Sequence, residues 1–217
     1  KLGDTFCFQF YKSMLGFTQK EYIPIDTKNE QDIPIFTAKL NPVAFIQERP
    51  NFQPFQVNEE KPHVSVASDG DGTAGTNIVL HTKPYYINTS RIAFEIICED
   101  ILPEYVFYAI KDIKTRYKLD YSNKCNLTTL QDVEIEIPVK RDEHGQLIEI
   151  YRLKYTEDKK TGEITVTYQE DYLYDVDKQQ LFVNNSKNIE VTKDQIDSEI
   201  QSLMDCLTNI NLTRTLN

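Results

Sequence analysis

The chain has 217 residues, 40% of them hydrophobic, and it carries a formal net charge of −10. That length and apolar content fit one or two packed domains, and no apolar run approaches the roughly 18 residues of a membrane-spanning helix. The negative total argues against nonspecific nucleic-acid binding, which depends on cationic side chains. Residues 141–217, however, hold 9 basic and 15 acidic side chains, so much of the net negative charge lies there. Local basic patches, and not the total charge, decide whether a protein contacts DNA.

Four widely separated cysteines include no Cys-x-x-Cys pair, so the sequence predicts no zinc site. Cys98 and Cys206 lie in apolar runs, which predicts buried free thiols. Free thiols are typical of the reducing cytoplasm, so we expect a cytoplasmic protein rather than a secreted, disulfide-stabilised one. The chain begins at Lys1 rather than at a start methionine, and we expect it to be a piece of a longer polypeptide.

The first 62 residues predict short strands joined by polar loops. Aromatic and apolar side chains favour strands at 2–10, 33–36 and 43–46. The proline within 33–36 is compatible with a strand at the edge of a sheet. Residues 47–62 include three prolines and no apolar run, which predicts an exposed connector within the domain.

A glycine-rich loop is predicted within residues 61–91, which contain three of the chain's seven glycines, at positions 70, 72 and 75. β-like runs at 63–67 and 78–80 enclose this loop, and glycine permits both positive φ and the close approach of other backbone. The loop carries polar side chains that can take part in hydrogen bonds: Ser68, Asp69, Asp71, Thr73, Thr76 and Asn77. Such groups on a rigid base are typical of binding sites, and a hairpin loop without a partner is the alternative.

The loop partly matches three ligand-binding motifs, and each match lacks an essential feature. Its glycine spacing is that of a dinucleotide fingerprint, which requires a helix after the loop, whereas residues 77–82 are β-like. A calcium loop beginning at Asp69 would need Gly and Glu where Ala74 and Leu80 stand. A phosphate-binding loop would need Gly-Lys-Ser/Thr, which the sequence lacks. No cofactor or metal is therefore predicted.

A basic segment follows a predicted buried strand at 91–98. Pro103 suits the first position of a helix, and apolar residues recur behind it at helical spacing through position 117. The opposite helix face is basic, and the basic character continues beyond the helix; the residues are Lys111, Lys114, Arg116, Lys118 and Lys124. Such a face can contact DNA phosphates, and a merely solvated helix face is the alternative.

Residues 128–191 are predicted to be mainly β-structure. A capping box at 128–131 indicates a very short helix, and 133–139 alternates as a half-exposed strand. Charged β-like runs then follow, with a hairpin turn at 158–162; these runs are 146–155, 164–168 and 180–183.

The last predicted element is a helix. Thr192 and Gln195 form a second capping box at its start. Aliphatic residues then recur at alternating spacings of four and three, which predicts a packing seam made of Ile196, Ile200, Leu203, Leu207 and Ile210. The seam could pack on a partner helix or on the chain's own domain.

Three segments resemble, in order, the target-recognition domain of the DNA specificity subunit of Type I restriction-modification systems. They are IPIFTAKLNPVAFI (33–46), HVSVASDGDGTAGTNIVLHTKPYYINTSRIAFEI (63–96) and LPEYVFYAIKDIKTRYKLDYSNKCNLTTLQDVEIEIPV (102–139), and the opening KLGDTF (1–6) is similar to the start of that domain. The resemblance implies an α+β fold with a mixed sheet and a function in reading DNA without catalysis. It also implies several partners: double-stranded DNA, an adenine methyltransferase subunit or fused methyltransferase-endonuclease, and a restriction translocase.

The resemblance predicts a division of the chain into three parts. Residues 1–139 would be the recognition domain, 140–191 a β-rich insertion where that family usually continues into a long helix, and 192–217 a helix for packing or docking. In that family such helices set the spacing between half-sites and dock the methyltransferase subunits.

Two further functions remain as alternatives. The chain could be a protein-interaction module without DNA binding, acting through the seam helix and the acidic insertion. It could instead be an enzyme, with His63 and His81 meeting across the sheet near Asp69 or Asp71. Neither a Gly-x-Ser-x-Gly elbow nor an Asn/Asp-Pro-Pro-Tyr motif of adenine methyltransferases is found, so we expect a non-catalytic protein.

Overall fold

The structure, a computed structural model, describes residues 1–12, 19–48, 53–70, 72–158 and 161–215. Along these residues the strands are β1 (Phe8–Tyr11), β2 (Ile33–Phe36), β3 (Ala44–Ile46), β4 (His63–Ala67), β5 (Val79–His81), β6 (Tyr86–Ile87), β7 (Arg91–Ile96), β8 (Glu149–Glu157) and β9 (Ile164–Tyr172). The α-helices are α1 (Pro103–Ala109), α2 (Ile113–Arg116), α3 (Leu127–Gln131) and α4 (Val176–Thr215). Helices and sheets are segregated, so the predicted α+β class is confirmed. None of the described helices has the length and apolar character needed to cross a membrane.

Two sheets carry the core. An antiparallel sheet has the strand order β1-β7-β4-β5, and a smaller sheet has the order β3-β2-β6, in which β2 runs antiparallel to β3 and parallel to β6. The smaller sheet is therefore mixed, as predicted. Strand β4 is buried along its whole length, because β-branched and small side chains let it lie at the centre of the larger sheet.

The connector at 47–62 is not simply exposed. Phe55 and Val57 are both buried, and they pack in one cluster with Tyr85, Ile87 and Ala93. Phe55 also exchanges backbone hydrogen bonds with Tyr85, so the prolines interrupt regular structure without excluding the segment from the core. Residues 49–52 of this connector lie outside the described residues.

Two predicted strands are shortened or absent. Residues 2–4 form a 3-10 turn, and the strand predicted at 2–10 begins only at Phe8. Segment 133–139 is not a strand, because its backbone oxygens accept from other groups instead of a neighbouring strand. The Val133 oxygen accepts from the Leu2 amide, and that of Pro138 from the Asp175 amide.

The hairpin predicted in the C-terminal third is confirmed as β8 and β9. The two strands pair antiparallel over nine positions, with Arg152 opposite Gln169. Residues 159–160 of the predicted turn lie outside the described residues.

The C-terminal helix begins earlier than predicted. Helix α4 starts at Val176, so the strand predicted at 180–183 is wrong. Asp175 begins the helix, because its carboxylate accepts from the Lys178 amide and its carbonyl from the Gln179 amide. Thr192 lies inside the helix, where its hydroxyl donates to the Asn188 carbonyl and caps nothing.

The chain divides into two compact units, Lys1–Gln179 and Gln180–Asn217. The second unit is the greater part of α4, which carries the predicted seam. Ile196, Ile200 and Leu203 of that seam are at least half exposed. The side chains of Leu207 and Ile210 lie outside those that the structure describes.

The prediction that Cys98 is a free thiol is wrong, because Cys98 forms a disulfide with Cys7. Strands β1 and β7 pair antiparallel, so Cys7, just before β1, lies beside the residues that follow β7. The Ile97 amide donates to the Cys7 carbonyl at 2.8 Å. Cys125 is a buried free thiol, and the side chain of Cys206 lies outside the described ones. The cysteines therefore no longer argue for a reducing compartment.

A thiol count tests this bond. In protein purified and denatured without reductant, we expect alkylation to label two fewer cysteines than it labels after reduction. Reduction should also lower the free energy of unfolding by about 2–5 kcal/mol, because the bond closes a long loop. The Cys125→Ser variant should keep the difference of two thiols, and an equal count with and without reductant would contradict the disulfide.

Candidate functional site

The glycine loop joins β4 to β5 and is folded back on itself by several turns. Amide hydrogen bonds close it, from Thr73 to the Gly70 oxygen and from Gly75 to the Ala67 oxygen at 2.8 Å. All three glycines have positive φ, between 70° and 114°. The clustering of glycine in this loop thus has a backbone cause, because a side chain in these conformations would be strained.

The polar side chains of the loop hold the loop together and tie it to neighbouring segments. The Thr73 hydroxyl donates to the Asp69 oxygen, and that of Thr76 donates to the Thr73 oxygen at 2.8 Å. The Ser68 hydroxyl donates to the Thr89 oxygen, and the Asn77 amide donates to the Ala38 oxygen at 2.7 Å. The three hydroxyl hydrogens are therefore engaged, so these hydroxyls offer a ligand acceptor lone pairs, whereas the Asn77 amide keeps a second donor hydrogen. Asp71 lies outside the described residues.

The basic segment is two short helices instead of the one predicted. Helix α1 ends at Ala109 and α2 begins at Ile113, because Ile110 and Asp112 both leave the helical conformation with ψ near 0°. Lys111 lies in this break, and its ammonium stands 4.5 Å from the ring centre of Phe107. Lys118 follows α2 with a φ of 51° and is exposed.

The loop and the basic segment contact each other directly. Gly75 faces the segment so closely that an added Cβ would lie 2.4 Å from Cδ1 of Leu119 and 3.4 Å from Cα of Lys114. The Lys114 ammonium donates to the Gly72 carbonyl. Lys124 forms a 2.7 Å ion pair with Asp69, and its hydrogen bond lowers the pKa of that carboxyl. Two regions predicted separately from the sequence thus form one surface.

The predicted basic residues differ in whether their charged groups are already bound within the domain. Arg116 donates to the Glu134 carbonyl at 2.8 Å and pairs with Asp112 at 3.2 Å, so it fixes the segment. Tyr121, next to this surface, is 73% exposed and lies 5.7 Å from the Lys124 ammonium. An exposed aromatic ring beside cations is typical of surfaces that bind nucleic acid.

A cleft of about 390 Å³ opens beside the Asp69–Lys124 pair. Its lining is mixed polar and apolar and includes Lys12, Ser68, Thr89, Arg91, Asn126 and Leu127. Sequence reasoning missed this cleft, because Lys12 and Asn126 come from segments far apart along the chain. A cleft with two lysines is suited to an anionic group.

Beneath the loop lies a buried arginine that sequence reasoning also missed. Arg91 is 1% exposed, and it donates to the Thr37 and Lys39 carbonyls at 2.7 Å and to Ser65 Oγ at 2.8 Å. Burial lowers its pKa to about 10, so the guanidinium stays charged at neutral pH. The one sequence signal that could have indicated this buried arginine is its position at the start of a predicted apolar strand.

The two histidines are cross-strand neighbours, as predicted, but each has another partner. His63 Nδ1 lies 3.1 Å from the Tyr85 hydroxyl. His81 Nε2 lies 2.6 Å from Ser65 Oγ, and its ring stacks on Tyr85. Arg91 donates to the same Ser65 Oγ, so the serine hydroxyl connects the arginine with His81. Among the described residues no group of three or more His, Cys, Asp or Glu side chains could hold a metal ion.

The approach of the loop to the basic segment can be tested at two glycines. Gly75→Ala should lower the free energy of unfolding by roughly 1–3 kcal/mol more than Gly72→Ala, because only the first methyl group meets neighbouring atoms. Both positions have similar positive φ, so Gly72→Ala is the matched control for backbone strain. Denaturant unfolding gives both values, and equal losses would mean that the contact is absent.

The buried histidines predict a dependence of stability on pH. Burial lowers the pKa of His63, and burial together with the Arg91 charge lowers that of His81 well below 6.5. Both histidines therefore bind protons less readily when folded than when unfolded, so the stability they contribute is present above pH 6.5 and falls as the pH drops from there. We expect a slope of at most about 1.4 kcal/mol per pH unit for each histidine. Denaturant unfolding between pH 7.5 and about 5 measures it, and His81→Gln should flatten the slope; an unchanged slope would contradict this assignment.

Comparison with known proteins yields little beyond a distant likeness. No protein-family model matches the chain, and no curated protein matches it. Among solved structures, it is similar to the crystal structure of a Type I restriction-modification system S subunit from M. genitalium, with 24% sequence identity and a TM-score of 0.48. The match covers 62% of this chain but 32% of the S subunit, so the chain spans about a third of its length. A likeness of this degree assigns neither activity nor partner.

Proposed function

We propose that residues 1–139 form a non-catalytic domain that recognises a sequence in double-stranded DNA. The observation that carries this proposal is the contact between the glycine loop and the basic segment, made by Gly75 and by the Asp69–Lys124 pair. That contact places exposed lysines and an exposed tyrosine beside a loop with a rigid base. Shape and positive charge of this kind suit a duplex better than a small substrate.

The basic residues divide into two roles in this proposal. Lys111, Lys118 and Lys124 are exposed and would contact phosphates, with a phosphate replacing Asp69 as the partner of Lys124. Lys114 and Arg116 spend hydrogen bonds on the carbonyls of Gly72 and Glu134, so they would shape the surface.

The loop would supply the groups that read bases. The partly exposed Asp69 carboxylate and the hydroxyl oxygens of Thr73 and Thr76 would accept from base amino groups in the major groove, and each good contact contributes about 1–3 kcal/mol of discrimination. Ser68 is buried and would support the loop from below. Asn77 belongs to the same proposed reading surface.

Partners are needed for such a function. With a net charge of −10, the chain alone should bind DNA weakly, and a companion protein would supply further positive charge. We assign that role to an adenine methyltransferase, as a separate subunit or fused domain, with a restriction translocase as a further member. Methylation and cleavage would lie on those proteins, and the system would act in the cytoplasm.

A methylation map tests the proposal. In cells that carry the gene, its deletion should remove methylated adenines from one sequence motif throughout the genome. A gene with Lys111→Gln and Lys118→Gln should restore the same motif at reduced occupancy, because losing two phosphate contacts weakens all sites alike, by roughly tenfold.

The matched control is Lys28→Gln with Lys61→Gln, which makes the same charge change elsewhere. Lys28 also stands over an aromatic ring, that of Phe45, as Lys111 does over Phe107. This control should restore full occupancy. Identical maps with and without the gene would exclude DNA recognition by this chain.

A further inference from the structure

The β8–β9 hairpin carries its apolar side chains on the face turned to solvent. Residues directly opposite each other in an antiparallel pair share a face, and the register sets Leu153 opposite Tyr168 and Tyr155 opposite Val166. The side chains on this outward face are all at least half exposed: Tyr151, Leu153, Tyr155, Ile164, Val166 and Tyr168.

The other face of the hairpin is polar and is fastened to the body of the domain. Arg152 makes a two-pronged contact with Asp100, both distances being 2.9 Å, and a third bond to Asp171 at 2.6 Å. Gln169 donates to the Asp4 carbonyl and accepts from the Phe6 amide. These contacts determine which face of the hairpin is turned inward.

The hairpin therefore exposes the apolar face that a half-exposed sheet usually buries. Antiparallel sheets generally bury the apolar face and leave the polar face in water. A slip of one residue would exchange the faces, but it would also remove Arg152 from Asp100 and Asp171. Six large exposed side chains therefore lie together on one face, and contiguous exposed apolar patches mark interaction sites.

Charge selects the kind of partner. The charged side chains described on the outward face are acidic, since Glu149 lies opposite Tyr172 and Glu170 lies opposite Tyr151, and both glutamates are exposed. The basic residues of the strands, Arg152 and Lys154, belong to the anchored face. Phosphates of DNA or of an anionic membrane would be repelled here, and a second copy would bring glutamates against glutamates.

We propose that the outward face of the β8–β9 hairpin is a docking surface for another protein, which presents an apolar segment flanked by lysine or arginine. The tyrosines would fill the centre of this interface, because aromatic side chains are enriched there. Glu149 and Glu170 would pair with the basic flanks. The docking surface is separate from the loop and basic segment, so it does not depend on DNA recognition.

Two synthetic amphipathic peptides test the proposal with the full chain. Both have the same leucine and phenylalanine face; one has lysine and arginine flanks, and the other has glutamate flanks. Calorimetry should show saturable binding of one basic peptide per chain, at least about tenfold tighter than the acidic one. Tyr155→Ser with Tyr168→Ser should weaken it by about tenfold or more.

Matched variants separate docking from misfolding and from general stickiness. Ile25→Ser with Leu40→Ser changes two side chains that are also half exposed, but outside the hairpin, and should leave peptide binding unchanged. Glu149→Lys with Glu170→Lys should reverse the preference, so that the acidic peptide binds more tightly. A cooperative thermal unfolding transition like that of the unaltered chain would show that each variant is folded.

Several results would overturn the proposal. Absence of binding, or equal binding of the two peptides, would show that the face does not select such a partner. Sedimentation that reveals a dimer lost in Tyr155→Ser with Tyr168→Ser would make the occupant a second copy. A loss of DNA binding in that variant would make the face part of a nucleic-acid surface.

Discussion

The hydrogen bonds of buried Arg91 are the constraint on which the rest of the candidate site depends. Its guanidinium reaches Thr37 and Lys39, which follow strand β2 of the smaller sheet, and Ser65 in strand β4 of the larger sheet. One cation thus joins the two sheets beneath the glycine loop. Breaking the contact would leave a buried charge without partners, which is far more costly than losing an exposed pair. The loop uses the same segment, because Asn77 donates to Ala38 between the two arginine contacts.

Sequence patterns predicted those elements whose side chains report the local backbone. Strands β2, β3, β4 and β7 and the hairpin alternate or cluster β-branched and aromatic residues, and all were found close to their predicted limits. The start of α4 was not found, because the capping box at Thr192 lies inside the helix and the contacts that begin it are those of Asp175. Segment 133–139 alternates like a strand, yet its hydrogen-bond partners come from distant residues that no local pattern identifies.

The candidate site shows a related limit. Composition indicated correctly that the loop is polar, rich in glycine and followed by a basic segment. It could not show that the hydroxyl hydrogens of Thr73 and Thr76 are already donated within the loop, or that Lys114 is held by Gly72. Which groups remain available to a ligand depends on the folded hydrogen-bond network, and the disulfide between Cys7 and Cys98 likewise depends on strand pairing across the sheet.

The outward tyrosines of the hairpin have a practical consequence for spectroscopy. The chain contains 13 tyrosines and no tryptophan, so its intrinsic ultraviolet emission comes from tyrosine alone. Tyr151, Tyr155 and Tyr168 are about two-thirds or more exposed, and solvent can therefore quench them. Covering that face would shield a distinct part of the total signal, so occupancy of the hairpin can be followed without attaching a dye.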